Sequence, residues 1–307
     1  MIRFPDIAYS EYVPHPVKEL IEHFNISEFF DADYNVNFSI YEEFLPNGLN
    51  ERKISYIILY ITKMMMNSHE ISKRALLILI VSLFIKPEDF RTYWYIEHYT
   101  KNGIDVSPQA KFYLAVDIVN LAPKSYQTWS FLYNTMITQS SPYNFDFLVP
   151  LYDYDNRNRH LFPFIKKICD HYQIHQSGFQ LTKHFIGKQK KNGGAWNFRF
   201  NLLDYVDYNP IEEIQFAMSF IDSTGSNQSM CSYIYGIICK NKHLIDEIVI
   251  ILEPFLKSHP EDNPCSVLLV QIYSLLNMTE KKNQLLLHLS KKDSLRRNFW
   301  KQQILMK

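Results

Sequence analysis

Two short stretches of this sequence concentrate side chains with chemical potential. Cys169, Asp170, His171 and His175 are all metal-ligand types, and His171 and His175 would share one helix face at a spacing of four. A cysteine two residues before the first histidine points elsewhere on such a helix, and no second cluster supplies further ligands. The four therefore read as ordinary helix residues, and no metal is expected on this chain alone. The second stretch is Arg157, Arg159 and His160. It reads either as a solvated turn between helices or as a deliberately placed pair of cations. Walker A, GxSxG and HExxH patterns are absent, so the chain lacks a self-contained active site.

The elements that must position these residues follow from composition and spacing. The 307 residues carry 32 Lys+Arg and 32 Asp+Glu, a balance that argues against a polybasic nucleic-acid binder or an acidic tail. Only 8 residues are Gly, whereas 22 Phe, 21 Tyr and 4 Trp supply abundant core material. Few glycines leave few positions for positive φ, which disfavours Gly-rich phosphate loops and hairpin-dense β folds and favours helices. The four cysteines are too scattered for a disulfide framework. No apolar segment follows Arg3, so no secretory signal is read. The run Ile54 to Met66 is interrupted by Lys63, and Ala75 to Ile85 is shorter than the roughly 20 residues a bilayer span needs. Both read as buried helices of a soluble, reduced, cytoplasmic protein.

Trp94, Trp129, Phe162, Trp196 and Cys231 follow one another at 35, 33, 34 and 35 residues, the length of a helix-turn-helix unit. Pro87 with Glu88 and Asp89 reads as a first helical turn, Lys101-Asn102-Gly103 as a helix end, and Ser107-Pro108 as the next start. Ala122-Pro123 breaks that helix, and Ser125 is placed to cap the one carrying Trp129. Asn209-Pro210, Ser223-Thr224-Gly225 and Pro260 to Pro264 punctuate the rest. The expected architecture is an irregular lead-in over residues 1–50 and one α-hairpin solenoid over residues 51–307.

The turns before the anchors are more specific. Pro123-Lys124-Ser125-Tyr126-Gln127-Thr128-Trp129 and Asn192-Gly193-Gly194-Ala195-Trp196-Asn197-Phe198-Arg199 resemble the Pro-x-Asn-Tyr-x-x-Trp and Asn-x-x-x-Trp-x-x-Arg motifs of protein prenyltransferase α subunits. Asp6-Ile7 with Pro14 and Pro16, Glu213 to Phe220 running into Asn227-Gln228-Ser229, and Asn263-Pro264 through Trp300 resemble flanking segments of that family in the same order. The family usually carries Arg three residues after each anchor. Here those positions read Glu97, Leu132, Ile165, Arg199 and Ile234, so the resemblance is to a divergent member.

The resemblance implies an all-α, right-handed superhelical crescent of about five or more hairpins of 33–35 residues. It also implies a non-autonomous α subunit of a farnesyl or geranylgeranyl transferase, acting on C-terminal cysteines of protein substrates. Zinc, with magnesium as a further candidate, would sit on the partner β subunit, as would most of the isoprenoid pocket. Asp155-Asn156-Arg157-Asn158-Arg159-His160-Leu161-Phe162 is similar to the motif whose Lys contacts the isoprenoid diphosphate, which puts Arg157 at the Lys and Arg159 at the Tyr position. On that reading Arg157 is the catalytic cation. Arg159, His160 and Tyr126 face substrate, while Asn192, Trp196 and Arg199 face the partner. Plain core packing is the competing reading for Trp94, Trp129 and Tyr126. A TPR-like scaffold without chemistry and a Rab-type transferase α subunit are the competing functions.

Overall fold

The computed structural model describes residues 51–102, 106–139, 144–221, 227–258 and 263–305. The expected lead-in over residues 1–50 lies outside them, as do Gly103, Ser223-Thr224-Gly225 and Pro260. Every regular element among the described residues is helical, and the chain is an all-α fold of the α-solenoid class, built from helical hairpins. Its helices are α1 Glu51–Ser68, α2 Lys73–Ile85, α3 Phe90–Lys101, α4 Pro108–Leu121, α5 Tyr126–Ile137, α6 Leu148–Tyr154, α7 Leu161–Tyr172, α8 His175–Lys188, α9 Gly193–Leu202, α10 Pro210–Met218, α11 Gln228–Lys240, α12 Ile245–Ser258, α13 Asn263–Leu275, α14 Thr279–Lys292 and α15 Arg297–Leu305.

Helix starts are fixed by side chains that accept from orphan N–H groups of the first turn. Asp89 accepts from Arg91 N at 3.1 Å, Ser107 from Ala110 N at 3.1 Å and Asn227 from Met230 N at 2.9 Å. Pro108 and Pro210 occupy first positions, where their missing N–H costs nothing. The α3 start differs from the sequence expectation. Pro87 and Glu88 lie before the helix, and Asp89 is its cap. Ser125 sits at the N-terminal boundary of α5 but makes no capping bond, its hydroxyl donating instead to Gln127 Oε1.

Helix ends account for part of the glycine scarcity. His69, Gln173 and Asn277 take φ of 54°, 56° and 56° after α1, α7 and α13, the left-handed position that glycine usually fills. At each, the following N–H reaches back to a helix carbonyl, as Glu70 N does to Met65 O at 3.2 Å and Met278 N to Tyr273 O at 2.9 Å.

Packing divides the chain into two compact units. In the first, which takes in the described residues from Glu51 to Phe147 together with Asn158–Phe164, α2 packs against α1 and α3, and α4 against α5. Its core includes Leu79, Leu83, Ile96, Ile118 and Leu132, all 2% exposed or less. In the second unit, comprising Leu148–Arg157 and the residues from Ile165 on, α9 packs on α11 and α11 on α13, so first helices of successive hairpins stack. Glycine matters at two of these contacts. A Cβ on Gly236 of α11 would lie 2.5 Å from Phe200 Cε2 of α9, and one on Gly178 of α8 would lie 2.7 Å from Cys169 Sγ of α7. Both helix pairs need the missing methyl to approach as closely as they do.

Candidate functional site

The repeat anchors are buried aromatic groups that tie the turn preceding their own helix. Trp129 and Trp196 are 4% and 1% exposed, and each indole donates to the carbonyl six residues back, Pro123 O at 2.7 Å and Lys190 O at 2.8 Å. In the first repeat the same reach is made by Tyr93, whose hydroxyl donates to Pro87 O at 2.5 Å. This corrects the sequence register. Tyr93 is 7% exposed, whereas Trp94 is 58% exposed and stacks on His98 rather than entering the core. One residue along a helix turns the side chain through about 100°, so only Tyr93 faces inward.

With Tyr93 as the first anchor, the residue four positions earlier is Asp89, Ser125, Asn158, Asn192 and Asn227 in the five repeats. The three asparagines do more than cap. Asn158 Nδ2 donates to Pro123 O at 2.7 Å, Asn192 Nδ2 to Asn156 O at 2.6 Å and Asn227 Nδ2 to Lys190 O at 3.1 Å. Each thereby ties its own turn to the turn one repeat earlier. Asn192 Nδ2 also donates to Tyr152 Oη at 3.1 Å, and that hydroxyl donates to Phe185 O at 2.8 Å, so burial raises the Tyr152 phenol without stranding it. Sequence reasoning singled out Asn192 alone; the signal for the others was a polar capping residue at anchor minus four.

The cationic stretch lies on these turns. Arg157 and Arg159 are exposed, Asn158 between them is 4% exposed, and Tyr126 is 62% exposed at the start of α5. In the first unit Asn158 Oδ1 accepts from the His160 backbone N–H at 2.9 Å. His160 Nε2 lies 3.2 Å from Lys124 O and 3.2 Å from Arg159 Nε. A proton on Nε2 serves the first contact and its absence the second, so the tautomer decides which is made. In the second unit Asn192 holds the Asn156 carbonyl, the residue immediately before Arg157. Each exposed arginine thus projects from a fixed backbone.

Trp196 and Arg199 present almost no surface of their own. Arg199 is 0% exposed and grips the Glu213 carboxylate of α10 through two bonds, Nε to Oε1 at 2.5 Å and Nη2 to Oε2 at 2.8 Å. Nη1 donates to Phe179 O at 3.0 Å and Thr182 Oγ1 at 2.7 Å, and the guanidinium lies 3.7 Å from the Phe179 ring centroid. Tyr233 completes the network by donating to Glu213 Oε1 at 2.6 Å, and burial raises its phenol far above the usual range. Trp196 thus holds the turn before α9 and Arg199 ties α9 to α8 and α10, both from inside the hairpins.

Neighbouring repeats replace this network on both sides at once. The positions three after the anchor are Ile96, Leu132, Ile165 and Ile234, all 2% exposed or less. The position of Glu213 is occupied by Phe179 in the repeat before and by Ile248 in the repeat after, both buried. Charge and countercharge have gone together, which avoids the heavy cost of one buried unpaired ion.

The Cys169 region is structural in its contacts. Cys169 is buried, and burial pushes its thiol up to about 12. Asp170 accepts from Lys166 at 2.8 Å and lies 3.0 Å from His175, which stacks on Tyr205 at 4.3 Å between centroids. Among the described residues no group of three or more His, Cys, Asp and Glu could hold a metal ion, so the side chains described here do not fit the zinc that the family resemblance implies for the complex.

No protein-family model and no curated protein matches the chain. Comparison of structures does find relatives of the fold. A chain of Candida albicans protein geranylgeranyltransferase-I complexed with GGPP superposes with a TM-score of 0.69 at 22% identity, over 85% of this chain and 92% of that one. The chain has a prenyltransferase α-like fold. Within that fold the turns between hairpins carry Tyr126, Arg157, Arg159 and His160, while Trp129, Trp196 and Arg199 form its interior. No described helix of the chain is long and apolar enough to cross a membrane.

Proposed function

We propose that the chain is the α subunit of a heterodimeric protein prenyltransferase. With a β subunit it would move a farnesyl or geranylgeranyl group from its diphosphate to a C-terminal cysteine of protein substrates in the cytoplasm. The observation that carries this reading is the combination of fold and placement. The hairpin fold aligns along 85% of the chain, and Arg157 and Arg159 are exposed on the turn where the motif register expects a cation.

The chemistry suits a fixed cation. As the allylic carbon leaves diphosphate for the thiolate, negative charge builds on the departing group, and a positioned guanidinium lowers that barrier electrostatically. Arg157 keeps the charge of the family Lys and can grip two phosphate oxygens, which an ammonium cannot do in the same geometry. Arg159, His160 and Tyr126 would contact substrate. Asn192, held to the turn of Arg157, would keep that turn in register against the partner, with Trp196 and Arg199 behind it. Zinc and magnesium belong to the β subunit on this reading, and no step assigned to this chain runs through either.

The test is co-expression with a candidate β subunit, followed by purification of the complex and assay of isoprenoid transfer to a peptide ending in the Cys motif. Complex and transfer together support the proposal. A stable complex without transfer would turn the assignment into a scaffold; absence of any complex would end it.

A further inference from the structure

The last two helices carry a charge that the neutral whole conceals. From Thr279 to Lys307 there are eight Lys and Arg against two acids, a net of +6 that the rest of the chain offsets. Lys281 pairs with Glu253 at 2.9 Å and Arg296 with Asp293 at 2.6 Å. Lys291, Arg297 and Lys301 are exposed and have no ion pair among the described residues.

Apolar side chains stand in water among these cations. Leu295, in the turn between α14 and α15, is 97% exposed, Phe299 and Leu287 are each 49% exposed, and Leu305 is 81% exposed. This is not a frayed end. Trp300 of α15 is 4% exposed and packs with Leu286 and Leu289 of α14, both 0% exposed. Asp293 accepts from Trp300 Nε1 at 3.2 Å as well as from Arg296, fixing the turn that carries Leu295. On α15, Arg297, Lys301 and Leu305 follow at intervals of four, so each lies about 40° around the helix from the one before.

We propose that the α14–α15 hairpin is a docking element for an anionic phospholipid surface, with Leu295 and Leu305 entering the headgroup boundary and Lys291, Arg297 and Lys301 meeting lipid phosphates and carboxylates. Charge complementarity selects the sign of the partner. The interleaved aliphatics select a lipid over a nucleic acid, because a phosphate backbone offers nothing to an exposed leucine. A bilayer surface satisfies both at once, with anionic heads above hydrocarbon. The chain would lie on the membrane rather than span it, in keeping with the length of its helices.

Co-sedimentation of the full chain with vesicles tests this directly. Vesicles of phosphatidylcholine with phosphatidylserine should pellet the protein at low salt, and high salt should release it, while phosphatidylcholine alone should leave it in solution. Replacing the three free cations together (Lys291→Gln, Arg297→Gln, Lys301→Gln) should lower partitioning about 100-fold, at roughly 1 kcal/mol per charge. Leu295→Ser, which touches no charge, should lower it about tenfold. Circular dichroism should be unchanged for both, since all four side chains are exposed. Failure to pellet, equal pelleting with neutral vesicles, insensitivity to the triple replacement, or preferential capture by RNA over vesicles would each overturn the proposal.

Discussion

Trp129 and Asn158 donate to the same oxygen: the indole Nε1 and the amide Nδ2 each lie 2.7 Å from the carbonyl of Pro123. Trp196 and Asn227 repeat the arrangement on Lys190 O at 2.8 and 3.1 Å. One backbone carbonyl therefore joins the anchor of its own repeat to the capping residue of the next, using both of its lone pairs.

This sharing makes the two donors interdependent. Trp129→Phe should cost about 1 kcal/mol beyond its small packing change, and Asn158→Ala about 1–2 kcal/mol, since it loses the bond to His160 N as well. The double variant should lose more than the sum, by roughly 0.5–1 kcal/mol, because Pro123 O then has no donor. A double-mutant cycle by urea denaturation measures the excess; strict additivity would mean that the carbonyl is not a shared acceptor.

The Arg199–Glu213 pair should behave asymmetrically. Removing either partner alone, as in Arg199→Leu or Glu213→Leu, should cost about 3–5 kcal/mol by stranding the other charge. Replacing both with isoleucine, the pattern at Ile234 and Ile248, should recover most of that loss when Tyr233→Phe is included to remove the stranded hydroxyl. Thermal melts of the single, double and triple variants would decide it, and a triple variant no better than the singles would refute the reading.

Asp117 on α4 sets a pH dependence. Its Oδ2 is buried without a hydrogen-bond partner, and burial raises its carboxyl to about 7 from the usual 3.8. The folded state therefore binds the proton more tightly than the unfolded chain does between those values, so stability from this group is present at low pH and is lost as pH rises toward 7. Asp117→Asn should flatten that slope and raise the melting temperature above neutral pH. Melts from pH 4 to 8 compare the two, and an unchanged slope would show that Asp117 is charged throughout.

For the proposed activity, the decisive variant is Arg157→Ala in the co-expressed complex. Turnover should fall by roughly 100-fold or more with little change in complex yield, as expected when a group stabilises charge mainly in the transition state. Loss of yield in proportion to turnover would move Arg157 from chemistry to assembly.

Much of the architecture was legible because helix boundaries are set by local chemistry. Ser107-Pro108 and Asn209-Pro210 open helices where the sequence places them, and Ala122 ends α4 just before Pro123. The first anchor is Tyr93, one residue before the tryptophan that the spacing points to. Tyr93 hydroxyl and Trp129 indole reach the same carbonyl position, and residue type does not report which of two adjacent aromatics faces inward. The partner of Arg199 was hidden for another reason. Glu213 lies 14 residues away on the opposing helix, and only the folded hairpin brings the two together. The exposure of Arg157 and Arg159 follows the turn between hairpins, whereas the buried Asn158 between them could not be told apart from them by charge pattern alone.

The asparagine bonds also have a direction. Asn158, Asn192 and Asn227 each donate to a carbonyl 35 to 37 residues earlier in the chain. On the ribosome, every such donor emerges after its acceptor, so each new hairpin can close its link to the preceding turn as it appears, without waiting for chain still to be made. Loss of later repeats would leave the earlier asparagines with their partners, whereas loss of an earlier repeat would leave the next asparagine amide without its acceptor. The fold is thus suited to being laid down in the order in which it is synthesised.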